Sequence, residues 1–108
     1  MSNMQSSGKF VHHVIFYLKD PSSQSDRQKL LEGLKSLETI PCVLFDIGTP
    51  AATNRPVIVR DYDFSLLCIF NSPEEEAEYQ KHPIHDNFRD NYAHLWGKVV
   101  IYDSITHL

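Results

Sequence analysis

Strand-like and helix-like apolar patterns alternate along this chain in one order, β-α-β-β-α-β, and this order restricts the fold more than any other feature. Apolar and β-branched residues typical of strands occupy residues 10–18, 42–48, roughly 57–70 and 98–103. Helical patterns separate the first strand from the second and the third from the fourth. We therefore predict an α+β, ferredoxin-like protomer, with a four-stranded antiparallel sheet and helices on one face.

The length and composition indicate one ordinary globular domain. The 108 residues fit a single domain at residues 10–108, preceded by a disordered arm at residues 1–9. The net charge of −4 and the scattered basic residues argue against nucleic acid as a partner, and no apolar run is long enough to cross a membrane. Cys42 and Cys68 both fall in predicted strands, and we expect them to be free thiols in a reducing compartment. The N-terminus lacks the apolar core of a signal peptide, so we expect the protein to be located in the cytoplasm.

The first helical pattern begins in a serine-rich stretch and ends near Glu38. Ser25 and Gln28 match a capping box, although three serines are candidate N-caps: Ser22, Ser23 and Ser25. Gly33 inside the helix indicates close packing at that point. One apolar stripe runs along this helix: Leu30, Leu31, Leu34 and Leu37.

The second helical pattern is interrupted. Ser72 is its predicted N-cap and Pro73 occupies its first position, so the acidic residues that follow complement the helix dipole. The helix must falter at His82, because the residue before Pro83 is pushed out of the α region. A further helix then runs to about residue 95, with Gly97 as its predicted C-terminal cap.

Both faces of the first strand are apolar. His13, Ile15 and Tyr17 share one face, and Val14, Phe16 and Leu18 share the other. Helices cover only one face of the predicted sheet, and the other would leave a large apolar patch in water. We therefore predict a homodimer in which two sheets pack face to face and close a barrel.

Two histidines, His82 and His85, flank Pro83. Structural zinc sites need four ligands, commonly with paired cysteines, so we predict no metal site here. His82 is expected to bond the free backbone groups of the new helix. His85 lies in the first helical turn, where the helix dipole favours a neutral imidazole, and in an apolar pocket this group can act as a general base. Its alternative role is that of a half-buried histidine without chemistry.

Three further side chains are candidates for the same pocket. Tyr79, in the last turn before the break, could reach it, or could serve only as an amphipathic helix residue. His12 and His13 are neighbours on a strand, so at most one of them faces a pocket between the sheet and the helices.

Three stretches of the chain together resemble the stress-responsive A/B barrel domain family, Dabb, of the dimeric α+β barrel superfamily. They are "VHHVIFYLKD", "YDFSLLCIFNSPEEEAEY" and "YQKHPIHDNF", the last followed by "YAHLWGKVVIYD". The resemblance covers residues 10–103 and implies a ferredoxin-like protomer and a homodimeric barrel. Most members have no assigned activity, and a plant branch of the olivetolic acid cyclase type closes a polyketide ring by an aldol-type reaction.

The resemblance to the cyclase branch implies roles for individual residues. His85 would remove a proton alpha to a carbonyl, while Tyr79 would donate a hydrogen bond to the developing enolate. The cyclase branch has a glycine at the position of Arg89, where an arginine would narrow the cavity or bind an anionic group. The candidate substrate-binding residues are His13, Ile15, Tyr17, His82, Phe88, Arg89 and Trp96.

The sequence thus predicts a protein that binds a small organic molecule, with cofactor-free acid–base chemistry of the cyclase or lyase type on a carbonyl compound. A non-enzymatic stress-response protein with a structural barrel is the alternative. A heme or flavin enzyme of the same architecture ranks third, because the sequence carries no cofactor motif, and we expect no cofactor.

Overall fold

The computed structural model describes residues 8–107 and confirms the predicted order of elements. The strands form one antiparallel sheet in the order β2-β3-β1-β4, which is the ferredoxin-like arrangement. Short 3-10 turns at Leu37–Thr39 and Ala93–Leu95 follow the first and third helices. The elements are β1 (Phe10–Leu18), α1 (Gln24–Ser36), β2 (Leu44–Gly48), β3 (Phe64–Phe70), α2 (Pro73–Lys81), α3 (Pro83–Tyr92) and β4 (Trp96–Ile105).

The core lies between the sheet and the three helices. β1 and β3 are the central strands, and every second residue of each is buried against the helices. The leucine stripe of α1 meets them from the other side, with Leu30, Leu34 and Leu37 almost fully buried. The strand residues of this core are Val14, Phe16 and Leu18 of β1, and Phe64, Leu66, Cys68 and Phe70 of β3.

The opposite face of the sheet carries no helix from residues 8–107. Its centre is apolar and only half-buried, and Tyr102 at one side is 63% exposed. The register of the strands brings this group together: Val11, His13, Ile15 and Tyr17 of β1, Leu67 and Ile69 of β3, and Val100 and Tyr102 of β4. We call these residues the helix-free face.

Gly33 provides the close contact between α1 and α3. A Cβ atom at this position would lie 2.6 Å from Cγ of Tyr92, closer than side chains pack. The missing side chain therefore lets the Tyr92 ring lie directly against the backbone of α1, as its place inside the helix predicts.

The starts of three elements differ from the prediction. The N-cap of α1 is Ser23, whose hydroxyl accepts a hydrogen bond from Asp26 N at 3.1 Å, so the predicted pairing of Ser25 with Gln28 is wrong. β2 begins at residue 44, which leaves Cys42 outside the strand, and β3 begins at residue 64 rather than 57. Both predicted strands were too long at their start, because apolar residues of the preceding loops were counted as part of the strands.

Gly97 is not a helix cap. It lies in β4, and no glycine in the described range 8–107 has a positive φ. A 3-10 turn ends the helical segment instead, with the Trp96 N–H donating to the Ala93 carbonyl, and the chain passes straight into the strand. The strand is also longer than predicted, because it spans Trp96–Ile105.

The ends of the domain pair with each other. Lys9 N donates to Thr106 Oγ1 at 2.8 Å, and Thr106 N donates to the Lys9 carbonyl at 3.0 Å. Residues 1–7 of the predicted arm lie outside the described residues. Within the part of the chain that is described, no helix is long and apolar enough to cross a membrane.

Candidate active site

A cavity of about 130 Å³ lies between the sheet and the α2–α3 corner. Its floor and walls are mostly apolar and aromatic: Val14, Phe16, Leu37, Leu66, Phe88, Trp96, Val99 and Ile101. Phe88 stacks on Trp96, with ring centroids 5.4 Å apart, and Phe16 meets both rings edge to face. Five polar side chains complete the lining: His12, Tyr79, Gln80, His85 and Arg89. A small number of polar groups in an apolar pocket is typical of small-molecule sites.

His85 is buried in this cavity with an unpaired nitrogen. It is 8% exposed, and its Nδ1 is the one buried side-chain nitrogen or oxygen without a hydrogen-bond partner among residues 8–107. Burial lowers the pKa of His85 to about 4, and the charge of Arg89 contributes in the same direction. The imidazole is therefore neutral at pH 7. A buried polar atom without a partner calls for an explanation, and a ligand group in the cavity would supply one.

Tyr79 lies beside His85 because α2 ends between them. The two rings meet edge to face, with centroids 4.7 Å apart. Burial raises the pKa of the Tyr79 phenol, with a smaller contribution from the neighbouring Cys68, so the hydroxyl keeps its proton at neutral pH. Its one polar partner in the described chain is the thiol of Cys68 at 3.9 Å, a weak hydrogen bond. The phenol can therefore donate to a ligand.

His12 faces the cavity from β1 and is held by a carboxylate. Its Nδ1 lies 2.7 Å from Asp103 Oδ1 on β4, so the ring donates to an oxygen that can only accept. The other ring nitrogen, Nε2, lies 3.5 Å from Gln80 Nε2, and Glu76 Oε2 accepts from that same amide at 2.8 Å. Each of these hydrogen-bonded side chains is thus held in place by the next one. A carboxylate orients a histidine in this way in many functional sites.

Arg89 lies at the rim of the cavity, one helical turn after His85. Its side chain is 47% exposed. Nη1 donates to Gln80 Oε1 at 3.4 Å, and Nη2 donates to the Gln80 carbonyl at 3.2 Å and to Asp86 Oδ1 at 3.1 Å. A guanidinium has five N–H donors, so two of them have no acceptor within the described chain.

His82 lies outside the cavity and caps α3. Its Nδ1 accepts a hydrogen bond from Ile84 N at 3.1 Å, and its carbonyl accepts from His85 N at 2.9 Å. The imidazole therefore satisfies a backbone donor at the new helix start, which is the structural role predicted for it. It lines a separate, open surface groove on the far side of Tyr79.

Besides His82, three other predicted substrate-binding residues do not line the cavity. His13, Ile15 and Tyr17 lie on the helix-free face, because β1 turns His12 and not His13 toward the helices. The placement of His13 beside Tyr79 and His85 is therefore corrected. Of the predicted residues, the structure brings together Tyr79, His85, Phe88, Arg89 and Trp96.

Three polar residues of the site were not predicted. His12 was named but assigned no role, and Gln80 and Asp103 were not considered. Asp103 could have been found from strand pairing, since it lies directly opposite His12 across the β1–β4 ladder. In the described chain, no cluster of three or more metal-ligating side chains is present.

The chain matches known proteins over most of its length. The model of the family described as Stress responsive A/B Barrel Domain, or Dabb, matches residues 10–106. Olivetolic acid cyclase from Cannabis sativa is 23% identical over 92 residues, which are 85% of this chain and 91% of that protein.

Two solved structures have the same fold. A dimeric ferredoxin-like protein of unknown function from Thermobifida fusca has a TM-score of 0.74 and 18% identity, covering 93% of this chain and 92% of that chain. Hydroxynitrile lyase from Passiflora edulis has a TM-score of 0.72 and 18% identity, covering 92% of this chain and 94% of that chain. With this topology and a family match from residue 10 to residue 106, the chain belongs to the stress-responsive A/B barrel domain family, Dabb.

Proposed function

We propose that this protein binds a small carbonyl compound in the cavity and transfers protons on it without a cofactor. The observation that carries the proposal is the buried, unpaired Nδ1 of His85 beside the Tyr79 phenol. The His85 imidazole stays neutral and can accept a proton, whereas the Tyr79 phenol stays protonated and can donate a hydrogen bond. A pair whose environments hold opposite protonation states is suited to acid–base work.

In the proposed step, His85 removes a proton from the carbon alpha to the carbonyl. The electron pair moves onto the carbonyl oxygen, and Tyr79 donates a hydrogen bond to the developing enolate. His12, oriented by Asp103, contributes a further polar side chain to the lining of the cavity. The apolar rings exclude water, which strengthens each of these interactions.

Two relatives support chemistry of this kind. The similarity to olivetolic acid cyclase favours a cyclase-like reaction, and the fold shared with hydroxynitrile lyase favours a lyase-like one. The test is deuterium incorporation at the alpha carbon of a panel of small 2-oxo and 3-oxo compounds in D₂O, followed by NMR.

We expect His85→Asn to lower the exchange rate of any hit by on the order of 10²–10⁴-fold, the usual contribution of a positioned base. Tyr79→Phe should lower it by roughly 10²-fold, since one donor to the oxyanion is lost. His94→Asn is the matched control, because His94 is exposed and does not line the cavity.

Three results would contradict the assignment. Exchange that survives His85→Asn unchanged removes His85 from the chemistry. If His12→Asn abolishes exchange while His85→Asn does not, the base is His12. Binding without exchange for every compound in the panel would favour a non-catalytic binding protein.

We also propose that the chain forms a homodimer through the helix-free face. This face leaves a continuous group of apolar side chains only half-buried over the middle of the sheet, and single soluble domains rarely leave such a group in water. The Thermobifida fusca protein of the same fold is a dimer, which supports this arrangement.

A reducing compartment, the cytoplasm, is the proposed location. Cys42 and Cys68 are both free thiols, and Cys68 is buried in the core. Free thiols are typical of proteins that stay in reducing surroundings. Fractionation of cells that express the tagged protein tests this location.

A further inference from the structure

Among the described residues, the lining of the cavity holds one permanent charge, and this charge is positive. Of the residues that line it, only Arg89 carries a full charge at all working pH values, and the other polar groups are two imidazoles, a phenol and an amide. The nearest carboxylates each bind another group: Asp86 accepts from Arg89 itself, Glu76 from Gln80, and Asp103 from His12.

Arg89 is placed to bind a second group of the ligand. It lies four residues after His85, so the two side chains project from the same side of α3, one turn apart. The main-chain and side-chain oxygens of Gln80 hold the guanidinium at the rim, while two of its N–H donors have no acceptor in the described residues. A held guanidinium with free donors matches a carboxylate.

The size of the cavity limits the rest of the ligand. A dry, apolar cavity of roughly 150 Å³ accommodates benzene. The volume here is about 130 Å³, and the walls are the rings of Phe16, Phe88 and Trp96. The buried part of the ligand therefore has about the size of one six-membered ring, which excludes a long alkyl chain.

From these observations we propose that the cavity takes small monoanionic carboxylates, with one ring-sized apolar group inside and the carboxylate on Arg89 at the rim. Their role as substrates rests on the function proposed above, whereas their binding does not. In that role they are small oxo acids, with the carbonyl near His85 and the acid group one helical turn away.

The chain contains its own reporter for this binding. Trp96 is the single tryptophan in the sequence and lines the cavity. Its fluorescence therefore reports occupancy without any turnover. Benzoate and benzamide are a suitable pair of probes, because they have nearly the same shape and differ in charge, and neither can undergo the proposed reaction.

We expect benzoate to bind the wild type about ten-fold tighter or more than benzamide, the size of one charge-assisted interaction. Arg89→Gln should abolish this preference by weakening the binding of benzoate, and Arg89→Lys should keep part of it. Arg60→Gln is the control, since Arg60 is exposed and outside the cavity. The larger 2-naphthoate should bind at least ten-fold more weakly than benzoate.

Each opposite result overturns a stated part of the proposal. Equal binding of benzoate and benzamide, or no binding of either, excludes an anion site of this size. A benzoate preference that survives Arg89→Gln excludes Arg89 as the recognition group, and tight binding of 2-naphthoate excludes the size limit. If the benzoate preference holds while no oxo acid exchanges its alpha proton, the binding site stands and the proposed acid–base function fails.

Discussion

The properties of His85 come from its surroundings. Burial among Tyr79, Phe88 and the sheet removes water from the imidazole, and Arg89 one turn away adds a positive charge. His12 contributes in the same direction, and Asp86 opposes it weakly. The result is a histidine that stays neutral well below the pH at which a solvated imidazole would take up a proton.

This lowered pKa makes the stability of the protein depend on pH. Because the native pKa of His85 is about 4 and the ordinary value is 6.5, the unfolded chain binds more protons between these values. The contribution of His85 is complete above pH 6.5 and is lost as the pH falls toward 4. Between pH 7 and pH 5 we expect a loss on the order of 1–2 kcal/mol in the free energy of unfolding from this group.

Denaturant unfolding at both pH values, at one protein concentration, measures this loss. His85→Asn lacks the titrating group, so its free energy of unfolding should fall less between pH 7 and pH 5 than that of the wild type. His94→Asn should behave as the wild type. Equal losses in wild type and His85→Asn would mean that His85 does not set the pH dependence.

The identity of the strand histidine in the site could not be predicted from the pattern. Alternation separates His12 from His13, but both faces of β1 are apolar, so the sequence does not say which face the helices cover. The distinction depends on packing across the whole sheet. His85 and Tyr79 were easier to predict, because the proline between them marks the corner where α2 ends and α3 begins.

At the scale of elements, the break between α2 and α3 builds the site. In a continuous helix, residues six positions apart point about 240° from each other, so Tyr79 and His85 would face different sides. Pro83 prevents α2 from continuing, and the His82 imidazole caps α3. The new helix axis brings the two rings to a centroid distance of 4.7 Å.

The contact between α1 and α3 supports the aromatic wall of the cavity. Tyr92 lies against Gly33 on one side and stacks on Phe88 on the other, with ring centroids 5.9 Å apart. A methyl group at position 33 would press on the Tyr92 ring and, through it, on Phe88.

We therefore expect Gly33→Ala to destabilise the protein by roughly 1–3 kcal/mol, the usual effect of overpacking, although alanine is the better helix former. Thermal or denaturant unfolding measures the change. The control is the same substitution in a Tyr92→Leu variant, where the smaller side chain leaves room for the methyl group. In that variant, Gly33→Ala should lower the free energy of unfolding by less. An unchanged or raised stability of the single variant would show that the ring moves aside freely.

Element types and their order were predictable from periodicity, while their ends were not. Ser72 and Pro73 mark the start of α2 without ambiguity, because both residues have one preferred place at a helix start. Gly97 was wrongly predicted as a helix cap, because glycine is typical of that position. Glycine also occurs in strands where another segment of the chain comes close, and here Lys19 lies beside Gly97.

At the scale of the whole molecule, the sheet separates two environments. The helices enclose the cavity on one side, and the other side is the helix-free face, proposed above as the surface of a homodimer. A homodimer has a stability that depends on protein concentration, because dissociation exposes apolar surface.

The proposed dimer predicts a mass near twice 12.5 kDa by light scattering at micromolar concentration. Ile15→Lys should shift the protein toward the monomer, because it places a charge at the centre of the helix-free face. Asn87→Lys, on the exposed side of α3, is the control and should leave the mass unchanged. A monodisperse wild-type monomer would contradict the barrel.

β1 gives alternate residues to these two environments, and this sets how the strand can vary in evolution. Residues 12, 14 and 16 face the cavity side and residues 11, 13 and 15 face the other, so substitutions in the two sets act on different surfaces of the sheet. A systematic substitution scan of residues 10–18 should therefore separate into two interleaved classes of phenotype. A one-residue insertion or deletion is different, since it exchanges the two sets along the rest of the strand. The composition of β1 is therefore constrained separately on its two sides, and its length is constrained by both.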